Sequence, residues 1–354
     1  MRTNLLLSTA VVALLGATSA FAGSNTVYFT QSDNSQTAQI NQGGDHNTIG
    51  QSWRPFIQQN GGLAGHNQLV VNQSGNNNWV ARDSQGYQSG TQNTAVINQA
   101  GNHNDVELQQ AGTQNGIGYI AYNNGGAYNS IQQDSTAASS KVSVLQNGSL
   151  NGFDVLQGGG SNNASLTQTG TGGVAYVRQG ATGYDQSTGR WIGGGSNNAI
   201  TIGQNSWSSN AVVAMQGNGD GNNMTLTQDG DQLYTNAWQS GYSNTISSSQ
   251  TGVGSIASIS QNGARNYAQS NQGYYATANL TQTGNDNQIY GSQFGGQAGY
   301  SNVATVTQYG SGNYANYSQS GYGGNSLSLS QTNDSNISVT AQNGAGNILS
   351  IIQN

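Results

Sequence analysis

Few side chains in this sequence have the chemistry to catalyse a reaction or to hold a metal ion. Cysteine is absent, which excludes thiolate metal sites and disulfides. Each of the three histidines, His46, His66 and His103, stands directly before an asparagine. Stacked together they would form a column of weak metal ligands, but they lie in separated parts of the chain. We therefore interpret them as solvent-exposed turn residues.

The carboxylates are equally weak candidates for catalysis. Most of the 13 fall in turns or at outward strand positions, for example Asp105, Glu107, Asp229, Asp231 and Asp286. The pair Asp229 and Asp231 has no flanking base. No Ser-His-Asp arrangement, phosphate-binding loop or zinc spacing stands out in the sequence. We expect a protein that is not an enzyme and that needs no cofactor or metal.

Charge is scarce, at 6% of residues, and the net charge is −6. Seven Lys and Arg residues scattered over 354 positions cannot neutralise a track of phosphates, so nucleic acid is excluded as a partner. Gly, Asn, Gln, Ser and Thr dominate the composition. Polar, uncharged sequences of this kind that are also poor in Pro, Glu and Lys favour stacked β-structure over disorder.

The first 22 residues have the layout of a secretory signal peptide. Arg2 precedes an apolar run over 5–17, and Ala20 and Ala22 provide the small residues of a cleavage site. No later stretch reaches the roughly 18 apolar residues that a membrane-spanning helix needs. We therefore expect a secreted chain that does not span the membrane, with a short export-related segment over 23–39.

An eleven-residue repeat organises the rest of the chain, 40–354. Its pattern is Q-x-G-x-x-N-x-ψ-x-ψ-x-Q, where ψ is apolar or small and the last Gln opens the next unit. Successive copies begin at Gln88, Gln99 and Gln110. Because side chains alternate with a period of two along a strand, an odd repeat must contain a turn that resets the faces. The segment from Asn to Gln predicts the strand, and x-G-x-x predicts the turn.

Two such units predict an all-β solenoid of strand-turn-strand rungs, with about 22 residues per rung and cross-β stacking about 4.8 Å apart. Each inward Asn and Gln would lie over its equivalent in the next rung, and their amides would pair in ladders. Buried amides without partners would cost a few kcal/mol each, so their periodic placement requires such pairing. The predicted ladder residues are Gln88, Asn93, Gln99, Asn104, Gln110, Asn115, Gln146, Asn151, Gln157, Asn162, Gln239, Asn244, Gln261, Asn266, Gln342 and Asn347. The predicted turn glycines are Gly90, Gly101, Gly112, Gly148, Gly241, Gly263 and Gly344.

Three insertions interrupt the register, near 53–65, 180–195 and 293–297. In a solenoid they would bulge from a turn and leave the stack unbroken, and they could serve as swivel points or as small recognition loops. The last unit, from Asn347 to Gln353, reads as a full strand without a cap. An uncapped repeat exposes strand edges, and its head-to-tail contact would generate filaments.

The pattern over 88–110 and its recurrences resemble the curlin repeats found in the subunits of curli fibres. The resemblance implies a functional amyloid on the surface of a Gram-negative bacterium, in which the inward Gln and Asn residues drive assembly. It also implies export through a dedicated outer-membrane pore, polymerisation from a nucleator subunit, and a role in biofilm matrix and cell adhesion. The chain departs from the family in its greater length, in the irregular Ser at the start of its repeats, and in a 23–39 segment that is not rich in glycine.

The main alternative is a monomeric secreted solenoid that binds ice or a polysaccharide on a flat face. Such a face needs a regular outward row, whereas Thr94 and Val96 in one unit are followed by Asp105 and Glu107 in the next. A polysaccharide-cleaving β-helix enzyme would require clustered carboxylates. The 18 Tyr and 5 Trp residues allow two interpretations, an adhesive outer surface or simply the preference of aromatic residues for strands.

Overall fold

The fold is known from a computed structural model that describes residues 11–14, 24–32, 36–58, 66–122, 128–180, 183–185, 190–192 and 194–354. All regular elements in these residues are β-strands. The chain divides into two compact units, Met1–Leu150 with Asp154–Ser161 and Asn151–Phe153 with Asn162–Asn354.

Fourteen of the strands belong to the first unit. They are β1 Val11–Leu14, β2 Thr26–Val27, β3 Phe29–Gln31, β4 Thr37–Gln42, β5 Thr48–Ile49, β6 Phe56–Gln58, β7 Gln68–Ser74, β8 Trp79–Val80, β9 Tyr87–Gln88, β10 Thr94–Ala100, β11 Asp105–Gln110, β12 Gly116–Tyr122, β13 Asn129–Gln133 and β14 Lys141–Ser149. The next strand, β15 Gly152–Gln157, contains residues of both units.

The second unit holds the remaining strands, which are longer on average. They are β16 Asn163–Thr171, β17 Gly173–Gln179, β18 Gly183–Asp185, β19 Arg190–Ile192, β20 Ala199–Ser206, β21 Asn210–Gly217, β22 Asn223–Asp231, β23 Tyr234–Tyr242, β24 Thr245–Val253, β25 Ile256–Ala264, β26 Tyr267–Gln272, β27 Ala276–Asn285, β28 Gln288–Gln293, β29 Asn302–Tyr309, β30 Tyr314–Gly323, β31 Ser326–Gln331, β32 Ile337–Ala345 and β33 Ile348–Gln353.

The first unit is a parallel solenoid with two faces. One face is the sheet β4–β7–β10–β12–β14, in which Ala95 of β10 pairs with Ile117 of β12. The other face begins as short strands, β2, β5 and β8 beside β3, β6 and β9, and continues in β11 and β13. Of the predicted signal peptide only 11–14 are described, and they form β1, parallel to β4.

The second unit has the same construction. Strands β16, β20, β22, β24, β26, β28, β30 and β32 form one parallel face, and β17, β21, β23, β25, β27, β29, β31 and β33 form the other. Each turn of the solenoid takes about 23 residues. This all-β parallel solenoid confirms the predicted fold class, whose rung was expected to hold about 22 residues.

The hydrophobic core is the narrow space between the two faces of each solenoid. Side chains alternate along every strand, so the ψ positions of the repeat point inward; Ala95, Ile97, Val106 and Leu108 are all completely buried. A single rung is too thin to bury its own apolar residues, so they are covered by the rungs on either side and by the opposite face. Glutamine and asparagine are buried at the strand ends.

The insertions lie at the ends of strands, and the strands on either side of each insertion still pair with their neighbours. Near 180–195, the strands β18 and β19 form a small antiparallel hairpin, while β16 still pairs with β20 and β17 with β21. Near 293–297, Gln297 and Tyr300 form an antiparallel bridge. Near 53–65, Gln51 and Arg54 bridge in the same way, and 59–65 lie outside the described residues.

Candidate functional site

Rows of glutamine side chains run along the solenoid, each amide bonded to its equivalent one turn further on. In the first unit, Gln88 Nε2 donates to Gln110 Oε1 at 2.8 Å, and Gln110 donates to Gln133 at 3.0 Å. All these amides are buried. One row in this unit joins Gln31, Gln58, Gln88, Gln110, Gln133 and Gln157, and a shorter row on the other face joins Gln42, Gln73 and Gln99.

The second unit carries two such rows, one on each side. The first row joins Gln168, Gln204, Gln228, Gln250, Gln272, Gln293, Gln319 and Gln342. The second joins Gln179, Gln216, Gln239, Gln261, Gln282, Gln308, Gln331 and Gln353. Each row is continuous across its eight residues, so every interior amide has a donor on one side and an acceptor on the other.

Several glutamines also close the turn that follows them. Gln88 Nε2 donates to the carbonyl oxygen of Asn93 at 3.1 Å, and Gln110 makes the same bond to Asn115. The five-residue spacing between Gln and Asn in the repeat is therefore the span of one turn. The side-chain amide is a second donor to these carbonyl oxygens, which also accept the backbone N–H groups of Gln68 and Thr94 from the neighbouring coil.

Asparagine rows run beside the glutamine rows and bind the backbone of the neighbouring coil. The Oδ1 atom of Asn222 accepts the backbone N–H of Asn244 at 3.0 Å, and Asn244 Nδ2 donates to the carbonyl oxygen of Gly263 at 2.9 Å. The same contacts join Asn67, Asn93 and Asn115, and Asn47, Asn78 and Asn104, in the first unit. In the second unit the row is Asn162, Asn198, Asn222, Asn244, Asn266, Asn287, Asn313 and Asn336.

Several of the residues singled out from the sequence stand at interruptions of a row. In the next coil, the residue aligned with Gln99 is Ala121, so the glutamine row is interrupted. The hydroxyl of Tyr119 in that coil donates to Gln146 Oε1 at 2.9 Å. Asn151 Oδ1 accepts the backbone N–H of Gly173 instead of that of an asparagine. A short second asparagine row in the same unit ends with Asn302, Asn325 and Asn347.

The seven turn glycines all have positive φ, from 85° at Gly101 to 135° at Gly148. At Gly241 an added Cβ would lie 1.9 Å from the carbonyl oxygen of Gly263 in the next coil, so the turn needs both the left-handed backbone and the missing side chain. The residue directly before most of the ladder asparagines is left-handed as well, as in Gln92 and His103. The sequence reasoning missed this second position, although the histidines before Asn47 and Asn104 signal it.

A cleft of about 250 Å³ lies on the outer side of the first unit, between β8, β11 and β13. Residues 81–86 interrupt the pairing of β8 and β9 with β11, and Glu107 accepts hydrogen bonds from the backbone N–H groups of Asp83 and Ser84 at 2.6 and 3.1 Å. Glu107 was expected to be an outward residue, but this segment buries it to 4% exposure. The sequence signal of this extra segment was the spacing of 15 residues between Gln73 and Gln88, where the repeat has eleven.

Asp105 lies in the same cleft, and the pKa of its carboxyl group is raised. Burial, and secondarily the charge of Glu107, raise its pKa to about 7, although the Arg82 guanidinium lies 3.8 Å away. Within the described residues, no donor reaches Asp105 Oδ1. The aromatic walls are Trp79, over which Arg82 stacks at 5.2 Å, and Tyr128. An adjoining cleft of about 340 Å³ shares Trp79 and includes Tyr28 and Trp53.

Neither a metal centre nor a membrane helix emerges from the parts of the chain that the structure describes. No three His, Asp or Glu side chains there come together as a metal would need. Likewise, no helix in those parts is long and apolar enough to cross a membrane.

Parallel coils of this size, joined along their corners by rows of buried amides, define a repeat protein of the β-solenoid class. Residues 87–112 of the chain match the family model of the Curlin associated repeat. The matched stretch contains two copies of the eleven-residue unit, from Gln88 to Gln110, so the resemblance seen in the sequence is confirmed there. A search of curated proteins finds no match to the chain.

Proposed function

We propose that this protein is a structural subunit of an extracellular, curli-like amyloid fibre, that it assembles head to tail, and that it is not an enzyme. The observation that carries the proposal is the pairing of buried amides along the axis. Each coil presents to the next the same donors and acceptors that it receives from the one before. A coil of a second molecule, carrying Gln and Asn at the same corners, would satisfy these groups equally well.

Low charge supports the same conclusion. Only 6% of the residues are charged, so little electrostatic repulsion opposes the approach of two chains. A fibre made this way would have its strands perpendicular to the axis, in the cross-β arrangement. In this proposal the whole repeat region, 40–354, is the assembling part.

The route to the cell surface is part of the proposal. Residues 1–22 would direct secretion and be removed, and 23–39 would serve export through an outer-membrane pore of a Gram-negative bacterium. The chain would polymerise with itself from a nucleator subunit and support biofilm matrix and cell adhesion. The curlin-associated repeat at 87–112 supports this assignment.

Assembly in solution tests the proposal. The chain is purified under denaturant, diluted, and followed by amyloid-dye fluorescence and electron microscopy. We expect lag-phase growth, fibres, shortening of the lag by fibre fragments, and diffraction near 4.7 Å and 10 Å. A chain that stays a folded monomer, or fibres without these reflections, would refute it.

A second candidate function, saccharide binding, is favoured by the outer cleft of the first unit. Trp79 and Tyr128 place aromatic rings beside the carboxyl group of Asp105, a combination that suits the apolar faces and hydroxyl groups of a neutral sugar. Electrophoresis through gels containing hydroxyethylcellulose tests it. Retardation should decrease in Trp79→Ala and stay unchanged in Trp207→Ala, since Trp207 is 76% exposed and lies in the second unit.

A further inference from the structure

Three tyrosines from alternate strands meet on the outer surface of the second unit. Tyr267 lies in β26, Tyr290 in β28 and Tyr314 in β30, so they belong to three successive coils of one face. The ring centroids of Tyr267 and Tyr290 are 5.2 Å apart, and those of Tyr290 and Tyr314 are 5.7 Å apart. The rings are tilted by 36° and 42°. We call these three residues the tyrosine cluster.

Strand register holds the cluster together. Tyr267 and Tyr314 are both aligned with Gln288, which lies between them, and Tyr290 is two residues further along the same strand. The ring of Tyr290 therefore lies diagonally between the other two, and its hydroxyl is 3.4 Å from Gln288 Oε1. Diagonal neighbours on a sheet are within reach of aromatic side chains. The backbone pairing therefore keeps these three residues next to one another as long as the sheet is intact.

The cluster is also accessible, because all three tyrosines are partly exposed. Burial, and after it the neighbouring phenols of Tyr267 and Tyr314, raise the pKa of Tyr290, so the hydroxyl is protonated near neutral pH. By contrast, Tyr119 and Tyr317 are fully buried in the interior. A small oxidant can reach the cluster without unfolding the solenoid.

We propose that the tyrosine cluster is a site of oxidative cross-linking, at which peroxide and a haem peroxidase join adjacent coils through dityrosine. Each of two phenols gives up one electron and one proton to become a phenoxyl radical. The radicals couple through a new bond between ring carbons ortho to the oxygens. The hydrogen on each of these carbons then moves to the oxygen, which restores two phenols. The two electrons and two protons released convert one hydrogen peroxide to two water molecules.

Such a bond would give this protein a covalent link between coils, which disulfides cannot provide because its sequence has no cysteine. The Tyr267–Tyr290 bond is the first expected, because these rings are the closer pair. Cross-linking depends only on the folded second unit, so it is independent of the proposed fibre function.

Peptide mapping of the whole chain after treatment with peroxide and peroxidase tests the proposal. A protease that cleaves before aspartate separates Tyr267, in peptide 231–285, from Tyr290 and Tyr314, in peptide 286–333. We expect dityrosine fluorescence and a species in which the two peptides are joined with the loss of two hydrogen atoms. Tandem mass spectrometry should place the bond at Tyr267 and Tyr290.

Matched variants identify which tyrosines form the bond. Tyr290→Phe keeps the ring but cannot form a phenoxyl radical, so the joined species should be lost. Tyr267→Phe should also remove it, while leaving a bond between Tyr290 and Tyr314. Tyr322→Phe is the control, since Tyr322 is 79% exposed and outside the cluster, and it should change nothing.

Mixing isotope-labelled and unlabelled chains distinguishes bonds within one molecule from bonds between molecules. The proposal is overturned if the joined peptides carry both isotopes, if the joined species persists in Tyr290→Phe, or if other tyrosines react while the cluster does not.

Discussion

Individual buried amides bind neighbouring coils of this solenoid to one another. Gln88 accepts a hydrogen bond from Gln58 and donates to Gln110, to the Asn93 carbonyl and to the Gln68 carbonyl. Each of these bonds contributes little net free energy, because the unfolded amide is bonded to water. Leaving a buried partner without its bond is costly, so the energetic effect of a substitution depends on the partners that remain.

Replacing Gln88 by methionine, which has a similar length, should lower the free energy of unfolding of the monomer by about 1–3 kcal/mol, because the buried amides of Gln58 and Gln110 each lose a hydrogen bond. Denaturant titration of the freshly refolded monomer measures the change. Gln68→Met is the matched control, because Gln68 lies on the outer side of β7 and is exposed. Equal losses in the two variants would contradict the role of the row.

Two buried tyrosines test whether a buried polar group without a hydrogen bond is costly, and the two are expected to respond in opposite directions. The Tyr119 hydroxyl donates to Gln146, whereas the Tyr317 hydroxyl is buried and has no partner among the described residues. Tyr119→Phe should therefore destabilise the fold by about 0.5–1.5 kcal/mol, and Tyr317→Phe should stabilise it by a similar amount. Thermal unfolding of both variants measures the difference, and shifts of the same sign would refute the argument.

Asp105 should make stability depend on pH. Its folded pKa, about 7, lies above the ordinary 3.8, so the fold prefers the protonated acid. This contribution is complete below about pH 4 and is lost as the pH rises through 7. Asp105→Asn should therefore stabilise the protein at pH 8 and change little at pH 4, as measured by denaturant titration at both pH values.

Asp286→Asn is the control for this pH effect. The hydrogen bond from Arg265 lowers the pKa of Asp286, so its contribution has the opposite sign and is present above the ordinary pKa. The variant should give no stabilisation at pH 8. A stabilisation as large as that of Asp105→Asn would point to a general charge effect instead of burial.

At the scale of the element, the unit that repeats is a strand closed by a turn with two left-handed residues. Gly90, with φ of 86°, and Gln92, with φ of 57°, form one such turn before Asn93. The Gln88 and Asn93 amides then bind it from inside. The turn and the ladder are one construction, because the side chains that stack along the axis also satisfy the backbone where the strand ends.

Gly241→Ala should destabilise the second unit by about 1–3 kcal/mol, since φ is 98° and the added methyl would meet the Gly263 carbonyl oxygen at 1.9 Å. Gly203→Ala is the matched control. Gly203 lies within β20, and an added Cβ there has no atom within 4 Å. It should be neutral or slightly stabilising in denaturant titration, because alanine loses less backbone entropy than glycine. Similar losses for both would refute the steric argument.

At the scale of the whole molecule, the low charge allows chains to approach one another. The net charge of −6 is spread over a long, mostly neutral chain, so repulsion between molecules is weak and easily screened. The proposed fibre would then depend more on hydrogen bonding and burial along the axis than on salt bridges. Arg265 and Asp286, which pair between neighbouring turns at 2.6 Å, are exposed and add little.

Salt should speed assembly. At pH 7.5, raising NaCl to about 0.1 M shortens the Debye length to about 10 Å and should shorten the lag seen by amyloid-dye fluorescence. Lys141→Glu, at an exposed strand position, makes the net charge more negative; it should lengthen the lag at low salt and show a steeper salt dependence. Salt that lengthens the lag would contradict the role of repulsion.

The sequence by itself determined the solenoid, because its period of eleven and its alternating apolar positions are local properties that every rung repeats. A residue such as Gln88 could be placed one turn from Gln110 by counting alone, since parallel pairing in register preserves the spacing. The positive φ of the residues before Asn93 and Asn104 could have been inferred only with knowledge of the turn's geometry.

Only the tertiary structure decided the features that depend on departures from the period. The burial of Glu107 under 81–86, the hydroxyl of Tyr119 next to Ala121, and the meeting of Tyr267, Tyr290 and Tyr314 all arise where coils of unequal length are brought into register. Periodicity determines what successive turns have in common. The contacts of a particular side chain depend on which residues the neighbouring coils place beside it, and only folding aligns them.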